Sequence, residues 1–476
     1  MIGYILSSKF VDDSLQAIFG KLLPVELPLT NQRLLDMQIE FLKRYCEQIV
    51  LTVPEGYELI LPKHIKKMEV KNGLELLEVF ELIFQDSINH SSLFVLYGDS
   101  LFLEDSLESG NFIYMGKPNL DFNWGFGSGE LVPAGAFSLD REIFKNALNN
   151  TKCLDDFFKN LYSLNVYQKN NHFWLDFGHS ITYFSSKAQF LESRAFNSIS
   201  VSNGFVRKQS KDFLKMWSEY SWLFDVKTKL PNNIPYTKNF SMNVKYASYE
   251  IEYLFLPSLA ELFVFGKLSD VYIRKILLVL KDFLLQLHSI PLSPNNHFPK
   301  VNFLYTKLLS RKDRILELVV EYNLNFMFYS NLIDENLEYF FEQNLSPFCL
   351  IHGDFCFSNI LFDMVKFKPI CIDPRGYFFE DLGFSLYGPS QYDYYKLAHS
   401  YVVGYDYIVA EKYDEGFFSV DNIRERMRIF TEMFEIDSYD LKMGLKNLFL
   451  SLIPLHYEDR KRQKSFFELL VLIDSL

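Results

Sequence analysis

Short apolar runs alternate with helix-period stretches over the first hundred residues, a pattern that points the N-terminal part of the chain to an α/β sheet. Ile2–Leu6 reads as a strand. After a loop rich in Ser, Asp and Pro, RLLDMQIEFLKRY (33–45) sets Leu34, Leu35, Ile39 and Leu42 near one helical face. Ile49–Val53 is a second apolar run, stopped at Pro54-Glu55-Gly56. LELLEVFELIF (74–84) suits a helix, and Leu93–Tyr97 ends at Gly98-Asp99. Ligands of open α/β sheets gather beyond the carboxyl ends of the strands, and Asp99 stands at such an end.

Near residues 190–196 the texture changes, and a boundary between two units is expected there. SISVSNGFVRK (198–208) reads as two strands about Asn203-Gly204, a dipeptide whose backbone suits tight hairpins. KDFLKMWSEYSWLF (211–224) follows as a helix, with Phe213, Met216, Trp217, Tyr220 and Phe224 as its expected apolar stripe. YEIEYLFL (249–256) is a further strand, stopped by Pro257. From about residue 259 the pattern is mostly helical, apart from apolar runs at 348–351 and 369–372.

Composition limits what such a chain can do. With 476 residues, 49% of them hydrophobic and 23% charged, it has the make-up of a globular protein of two or three domains. A formal net charge of −12 argues against nucleic acid or anionic lipid as the main partner, because such binding needs clustered Lys and Arg. Cys46, Cys153, Cys349, Cys356 and Cys371 lack C-x-x-C spacing, so neither a disulfide framework nor a zinc site is expected. The opening MIGYILSSKFVDD carries no basic leader. IRKILLVLKDFLLQL (273–287) and LKNLFLSLIPL (445–455) are charge-interrupted or shorter than the roughly 20 residues a bilayer requires. A cytoplasmic protein without a membrane span is expected.

The most specific signal lies at 350–376, where LIHGDFCFSNILFD precedes KFKPICIDPRG. Phosphoryl transfer asks for a carboxylate that orients the attacking hydroxyl, and for oxygen ligands that hold Mg²⁺ against the nucleotide phosphates. Asp354 suits the first task; Asn359 and Asp373 suit the second. Such chemistry also needs a cation on the phosphates, held by an acid on a neighbouring helix. Lys208, ending the second hairpin strand, and Glu219, on the next helix, are the candidates, with Arg207 a weaker one.

With these residues in view, 195–476 resembles the aminoglycoside phosphotransferase and choline/ethanolamine kinase superfamily. His352-Gly353-Asp354 through Asn359 is similar to its catalytic loop, and Asp373 in Ile372-Asp373-Pro374-Arg375-Gly376 to its metal-binding aspartate. The resemblance implies a bilobal, α+β, protein-kinase-like fold with an N-lobe at 195–258 and a C-lobe at 259–476. It further implies ATP (occasionally GTP) as donor, Mg²⁺, and catalytic roles for Asp354, Lys208, Glu219 and His352. Lys208, Asn359, Asp373 and Arg375 would contact the cofactor. Tyr249–Leu256 would be the hinge strand against which adenine stacks, and Asp393 a structural brace. The aromatic run Tyr377–Phe379 and the acids Glu380 and Asp381 are candidates to line the acceptor pocket, where the acids would contact an amine; a solvated loop is the favoured reading of those acids. One departure stands out: the glycine-rich phosphate loop is reduced to Ser202-Asn203-Gly204.

Residues 1–194 resemble, more faintly, the sugar-nucleotide and phosphocholine nucleotidyltransferases, whose domain is a Rossmann-like α/β unit with a mixed sheet. Asp99 in Leu96-Tyr97-Gly98-Asp99 matches the first metal-binding aspartate of that family, and Asp176 in Trp174-Leu175-Asp176-Phe177-Gly178 the second. Lys21 in Phe19-Gly20-Lys21-Leu22-Leu23-Pro24 matches the lysine that neutralises the triphosphate. The family's Gly-x-Gly-x-Arg loop is absent, and ILSSKFVDDSLQAIFGK (5–21) occupies its place. His179, after Gly178, is read as an ordinary hydrogen-bonded residue.

The whole resembles fused proteins of bacterial capsule and surface-polysaccharide synthesis. That implies a bifunctional enzyme: the back half phosphorylates a small alcohol, amino alcohol or sugar, and the front half joins the product to CMP from CTP or to another nucleotide. A kinase with a silent front domain and a non-catalytic nucleotide-binding scaffold stay open as alternatives. Acceptor, nucleobase and oligomeric state are not fixed by these residues.

Overall fold

The computed structural model describes residues 1–103, 110–118, 131–171, 173–191, 197–291, 302–342, 348–375, 377–379, 383–412 and 417–476. The chain forms two compact units, Met1–Leu191 with Phe265–Lys267, and Glu192–Val264 with Leu268–Leu476. Residues 192–196, around the expected boundary, lie outside the described residues, as do Gly376, Glu380 and Asp381 and the side chains of 377–379.

The first unit is organised on a seven-stranded sheet. Across it the strands run Tyr167–Asn170, Phe112–Gly116, Val132–Asp140, Ser92–Tyr97, Ile2–Leu6, Gln48–Pro54 and Ile65–Val70. Ile2–Leu6 is parallel to both neighbours, whereas Val132–Asp140 is antiparallel to both of its own, so the sheet is mixed. Central strands read as unbroken apolar runs because both of their faces are covered. One face packs on Val79, Phe80 and Ile83 of the helix Leu76–Asp86, together with Phe144 and Phe157. The other packs on Leu35, Ile39 and Leu42 of the helix Leu34–Leu42.

Beyond Tyr97 the chain turns tightly past the first strand. A Cβ at Gly98 would stand 2.7 Å from the Leu6 carbonyl oxygen, so only glycine fits the approach. The next residue is Asp99. A short strand, Trp174–Asp176, pairs with Ser100–Phe102 and sets Asp176 opposite Ser100, at the same end of the unit.

The second unit begins with a four-stranded antiparallel sheet ordered Asn197–Ser202, Phe205–Ser210, Ala247–Glu252, Thr237–Met242. Asn203 and Gly204 have φ of 49° and 76°, the positive values that a two-residue primed turn demands. The helix Phe213–Lys229 lies against this sheet, but not on the expected stripe. Its buried residues include Met216, Glu219, Trp222, Leu223 and Val226, while Trp217 and Phe224 are half exposed. In a chain that is 17% aromatic, rings are too common to mark the core. Trp217 and Tyr220 instead lean on Phe240 of the outer strand Thr237–Met242, which has no apolar alternation to betray it in the sequence. The expected strand 249–256 ends at Glu252, after which Leu256 N donates to Leu254 O in a tight turn before Pro257.

The rest is helical, with long helices at Asp270–His288, Phe326–Glu342, Ser390–Tyr401, Val420–Phe434, Ser438–Leu452 and Arg460–Asp474. Among them stands the hairpin Ile360–Asp363 with Lys368–Cys371. Among the described residues no helix is long and apolar enough to cross a membrane, and the five cysteines are free.

Candidate active site

The hairpin Ile360–Asp363/Lys368–Cys371 explains why residues far apart in sequence meet. Ile360 pairs with Cys371, and one step on, Ile372 N donates to Asn359 O at 3.0 Å. Asn359 and Asp373 therefore leave the hairpin at the same end. Asp373 adopts a φ of 58°, a left-handed conformation that Asp tolerates better than most residues. Its carboxylate forms an ion pair with Lys208, which arrives from the strand Phe205–Ser210, opposite Tyr249.

Lys208 is buried and serves two acids. Its Nζ also lies 3.6 Å from Glu219 Oε2, and that oxygen accepts a 2.8 Å hydrogen bond from Tyr249 Oη. Burial alone would lower the Lys208 pKa, but the Asp373 and Glu219 carboxylates outweigh it and hold the ammonium above its ordinary value. Tyr249 is raised, by burial first and then by Glu219. Its ring is fully buried and its hydroxyl is held by Glu219, so the residue braces the pair and does not offer a face to adenine. Arg207 points elsewhere, its Nη2 donating to Ser248 Oγ at 3.3 Å.

Asp354 sits in a second, positively charged pocket. Lys396 Nζ lies 2.8 Å from Oδ1, and Arg375 Nε 3.4 Å from Oδ2. Burial would raise this carboxyl, yet Lys396 and Arg375 hold it well below the usual carboxylate range, so it is ionised. Asn359 Nδ2 donates to the Asp354 carbonyl oxygen at 2.9 Å. That anchor fixes which end of the amide carries the oxygen and leaves Oδ1 without a hydrogen bond among the described residues.

His352 supports this loop from within. Its ring is fully buried, packed edge-on against Trp222 at 5.1 Å between centroids. Nε2 lies 3.0 Å from Ile372 O and Nδ1 3.3 Å from Asp354 N, an arrangement that assigns the proton to Nε2 and the acceptor role to Nδ1. Burial lowers its pKa and keeps it neutral. Both ring nitrogens of His352 are thus engaged by backbone, which ties the ring into the loop. Asp393 holds the same loop: its carboxylate accepts from His352 N at 2.9 Å and Gly353 N at 2.8 Å, and lies 3.1 Å from His288 Nε2.

Sequence reasoning passed over Lys396. Its burial is legible only in the fold, where Tyr392, Asp393, Tyr395, Lys396, Leu397, Ala398 and His399 are buried along one helix. A lysine in such a helix must carry a partner.

In the first unit, Asp99 and Asp176 converge. Phe177 N donates to Asp99 O at 2.8 Å, and a Cβ at Gly178 would lie 3.2 Å from both Asp176 Oδ1 and Asp99 Oδ2. Burial, then the Asp176 charge, pushes Asp99 up to about 6; Asp176 is also raised, chiefly by burial. Asp176 Oδ1 accepts from Gly178 N at 2.9 Å, but its buried Oδ2 has no hydrogen-bond partner among the described residues. Lys21 is not brought to this pair by any contact of the described residues; its ammonium lies 4.3 Å over the Phe10 ring. Where the glycine-rich loop was missed in the sequence, Asp12 caps the helix Asp13–Phe19 through Leu15 N and lies 3.1 Å from His179 Nδ1.

The profile of a family described as "Phosphotransferase enzyme family" matches residues 262–430. The match gives the C-terminal part a phosphotransferase region of the protein-kinase-like fold; it begins after Lys208 and Glu219 and meets the first unit only at Phe265–Lys267. No curated protein matches the chain. Matching solved structures include a gentamicin complex of APH(2")-IIa, at 16% identity and a TM-score of 0.40 over 59% of this chain and 89% of the other. An ethanolamine kinase of Plasmodium vivax matches at 14% identity and 0.36, over 69% and 96%. An aminoglycoside phosphotransferase of Streptomyces rimosus, in complex with ADP and streptomycin, matches at 12% and 0.36, over 57% and 98%.

Proposed function

We propose that the C-terminal unit transfers the terminal phosphoryl group of ATP to a hydroxyl of a small molecule, with release of ADP. The observation that carries this reading is a division of labour between two carboxylates within the family-matched region. Asp354 is ionised and held by cations, while Asp373 is tied to a buried lysine. Asp354 would accept a hydrogen bond from the acceptor hydroxyl and aim its oxygen at the phosphorus. As the oxygen–phosphorus bond forms and the bond to ADP breaks, the hydroxyl proton passes to Asp354. A carboxylate this acidic is a weak base, which suits phosphoryl transfer, where positioning and charge stabilisation dominate. Lys208, kept cationic by Glu219 and Asp373, would neutralise the phosphates.

Asn359 and Asp373 fit Mg²⁺. The anchored amide leaves its oxygen without a hydrogen bond among the described residues, at the hairpin end from which Asp373 also emerges, and hard cations prefer such oxygen donors. Among the described residues no group of three or more His, Cys, Asp or Glu side chains is gathered for a metal; Mg²⁺ in nucleotide sites takes few side chains beside phosphates and waters. When bound, the ion would supply charge neutralisation at the phosphates. Incubation with ATP, Mg²⁺ and a panel of amino alcohols, polyols and sugars, followed by ³¹P NMR, tests the reading. A new phosphomonoester signal that Asp354→Asn abolishes is expected. Its absence across a broad panel would favour a non-catalytic scaffold.

A second activity rests on the Asp99–Asp176 pair. Two carboxylates side by side, one with an orphaned buried oxygen, suit a divalent cation bound with a nucleoside triphosphate. The first unit would then couple the phosphomonoester to a nucleotide, CMP from CTP being the expected one, with release of pyrophosphate. The product would be an activated donor for glycan decoration. Asp99→Ala should abolish pyrophosphate release while ATP consumption continues. Unchanged pyrophosphate output would leave a kinase with a silent first unit.

A further inference from the structure

Three buried side chains on the helix Phe213–Lys229 reach across to the segments that carry Asp354 and Asp373. They are Ser218, Glu219 and Trp222, whose spacing puts them on one side of the helix. Glu219 meets Lys208 at 3.6 Å. Trp222 Nε1 donates to Ile351 O at 2.7 Å, directly before His352 in the chain, and its ring packs edge-on against that histidine. Ser218 Oγ donates to Arg375 O at 2.8 Å, just past Asp373 and Pro374. Beyond the helix, Asn233 makes a similar crossing. Its Nδ2 donates to Pro369 O at 2.9 Å, and its carbonyl oxygen accepts from Cys371 N at 2.8 Å.

All of these partners are backbone groups, which cannot follow a moving helix as a flexible side chain could. Two of them also border His352, which already joins the two segments: Ile351 precedes it, and Arg375 N donates to its carbonyl oxygen at 2.9 Å. A buried indole N–H or carbonyl oxygen left without a partner is costly, so a shifted or rotated helix would forfeit these bonds together. Glu219 lies between Ser218 and Trp222 in the chain, and its place is set by theirs. Resting on the kinase reading above, we propose that Trp222, with Ser218, is a positioning residue. By seating the helix on Ile351 and Arg375, it holds the Glu219–Lys208 pair in register with Asp354. The lysine that serves the phosphates and the carboxylate that serves the acceptor hydroxyl are then aligned before nucleotide arrives, so binding need not order them.

The test titrates the non-hydrolysable ATP analogue AMP-PNP, with Mg²⁺, into the full chain by calorimetry at a temperature where each variant is folded. Trp222→Phe keeps a ring and removes the donor. It should weaken AMP-PNP binding about tenfold, the weight of one hydrogen bond in the balance between a seated and a displaced helix. Ser218→Ala should weaken it about threefold, and carries the test if Trp222→Phe does not fold. Adenosine has no phosphates for Lys208 to reach and should bind each variant as it binds the wild type. In a double-mutant cycle with Lys208→Met, neither substitution should weaken AMP-PNP binding further, because both act through that lysine. In ¹⁵N-labelled protein, the indole signal lost in Trp222→Phe should exchange with D₂O far more slowly than that of the half-exposed Trp217.

A merely structural tryptophan would lower the urea midpoint and leave AMP-PNP affinity intact, or would weaken adenosine equally. Either result overturns the proposal, as do effects that add to that of Lys208→Met, or an indole proton that exchanges as fast as the one on Trp217. If Lys208→Met itself binds AMP-PNP as tightly as the wild type, the kinase reading of that lysine fails and the proposal falls with it, whatever the Trp222 variants do.

Discussion

Lys396 Nζ lies 2.8 Å from Asp354 Oδ1, and the two side chains are only 7% and 15% exposed. An ion pair this far from water is held by geometry, and removing one partner leaves the other uncompensated. In Lys396→Met, burial would dominate and Asp354 would rise from its depressed value. The wild-type kcat/KM should therefore stay level as pH falls toward 5, whereas the variant should gain an acid limb at higher pH. Stability has its own sign. A carboxyl depressed in the folded state stabilises above the unfolded carboxyl value of about 3.9 and loses that contribution as pH falls through its folded value. Urea midpoints should thus show the variant weaker by about 3–5 kcal/mol at neutral pH, with the gap narrowing in acid. A level acid profile in Lys396→Met would mean that this lysine does not set the ionisation of Asp354.

Glu219 is the hub of the second cluster, receiving Tyr249 Oη at 2.8 Å and lying 3.6 Å from Lys208 Nζ. Tyr249→Phe removes one donor and should cost about 1 kcal/mol in urea unfolding, with a small rise in KM for ATP. Glu219→Gln keeps the shape but removes the charge, so Lys208 loses one of its two holds. Its expected cost is larger, about 2–3 kcal/mol, and kcat should fall along with affinity for ATP. In a double-mutant cycle the two substitutions should couple, because they share an oxygen. Additive effects would place Tyr249 outside the network.

Asp393 has no exposure and receives the amides of His352 and Gly353, with His288 beside it. Asp393→Asn is the sharper test than alanine. The asparagine has a single acceptor oxygen, so its NH₂ must face an amide donor. The loop should lose about 2–4 kcal/mol in chemical denaturation and kcat should drop, with KM for ATP little changed. Equal kcat in a folded variant would mean that the Asp354 loop holds its shape unaided.

How far the sequence foretold these features depends on their locality. His352, Asp354, Asn359 and Asp373 fall within one short stretch, and the hairpin joining them is marked by two apolar runs, so their meeting in space was legible from their order. Asn203-Gly204 likewise carries its turn in its own backbone preferences. Lys396 is one lysine among many on helices, and nothing nearby in sequence tells a solvated charge from one folded against Asp354. The aromatic stripe misled for a related reason. Glu219 lies on the buried face because Lys208 and Tyr249 await it there, and a hydrophobic pattern cannot register a polar partner from a distant strand.

Asp176 offers a test that needs no substrate. Its Oδ2 is buried and has no hydrogen-bond partner among the described residues, and Asp99 beside it is pushed up to about 6. A carboxyl raised in the folded state weakens the fold: the penalty is absent below the unfolded value of about 3.9 and complete once pH exceeds the folded one. Asp176→Asn removes one of the two charges, so it should stabilise the chain by about 1–2 kcal/mol at pH 7.5 and by little at pH 4. Divalent cation should reverse the order, favouring the wild type over the variant. Millimolar Mn²⁺ with a nucleoside triphosphate should raise the melting temperature of the wild type, and the gain should shrink in Asp176→Asn. Measurements are best made in an Asp354→Asn, Asp373→Asn background, which silences the second unit's demand for metal. If Asp176→Asn is no more stable than its parent at pH 7.5, and Mn²⁺ shifts both alike, the acidic pair is not a cation site.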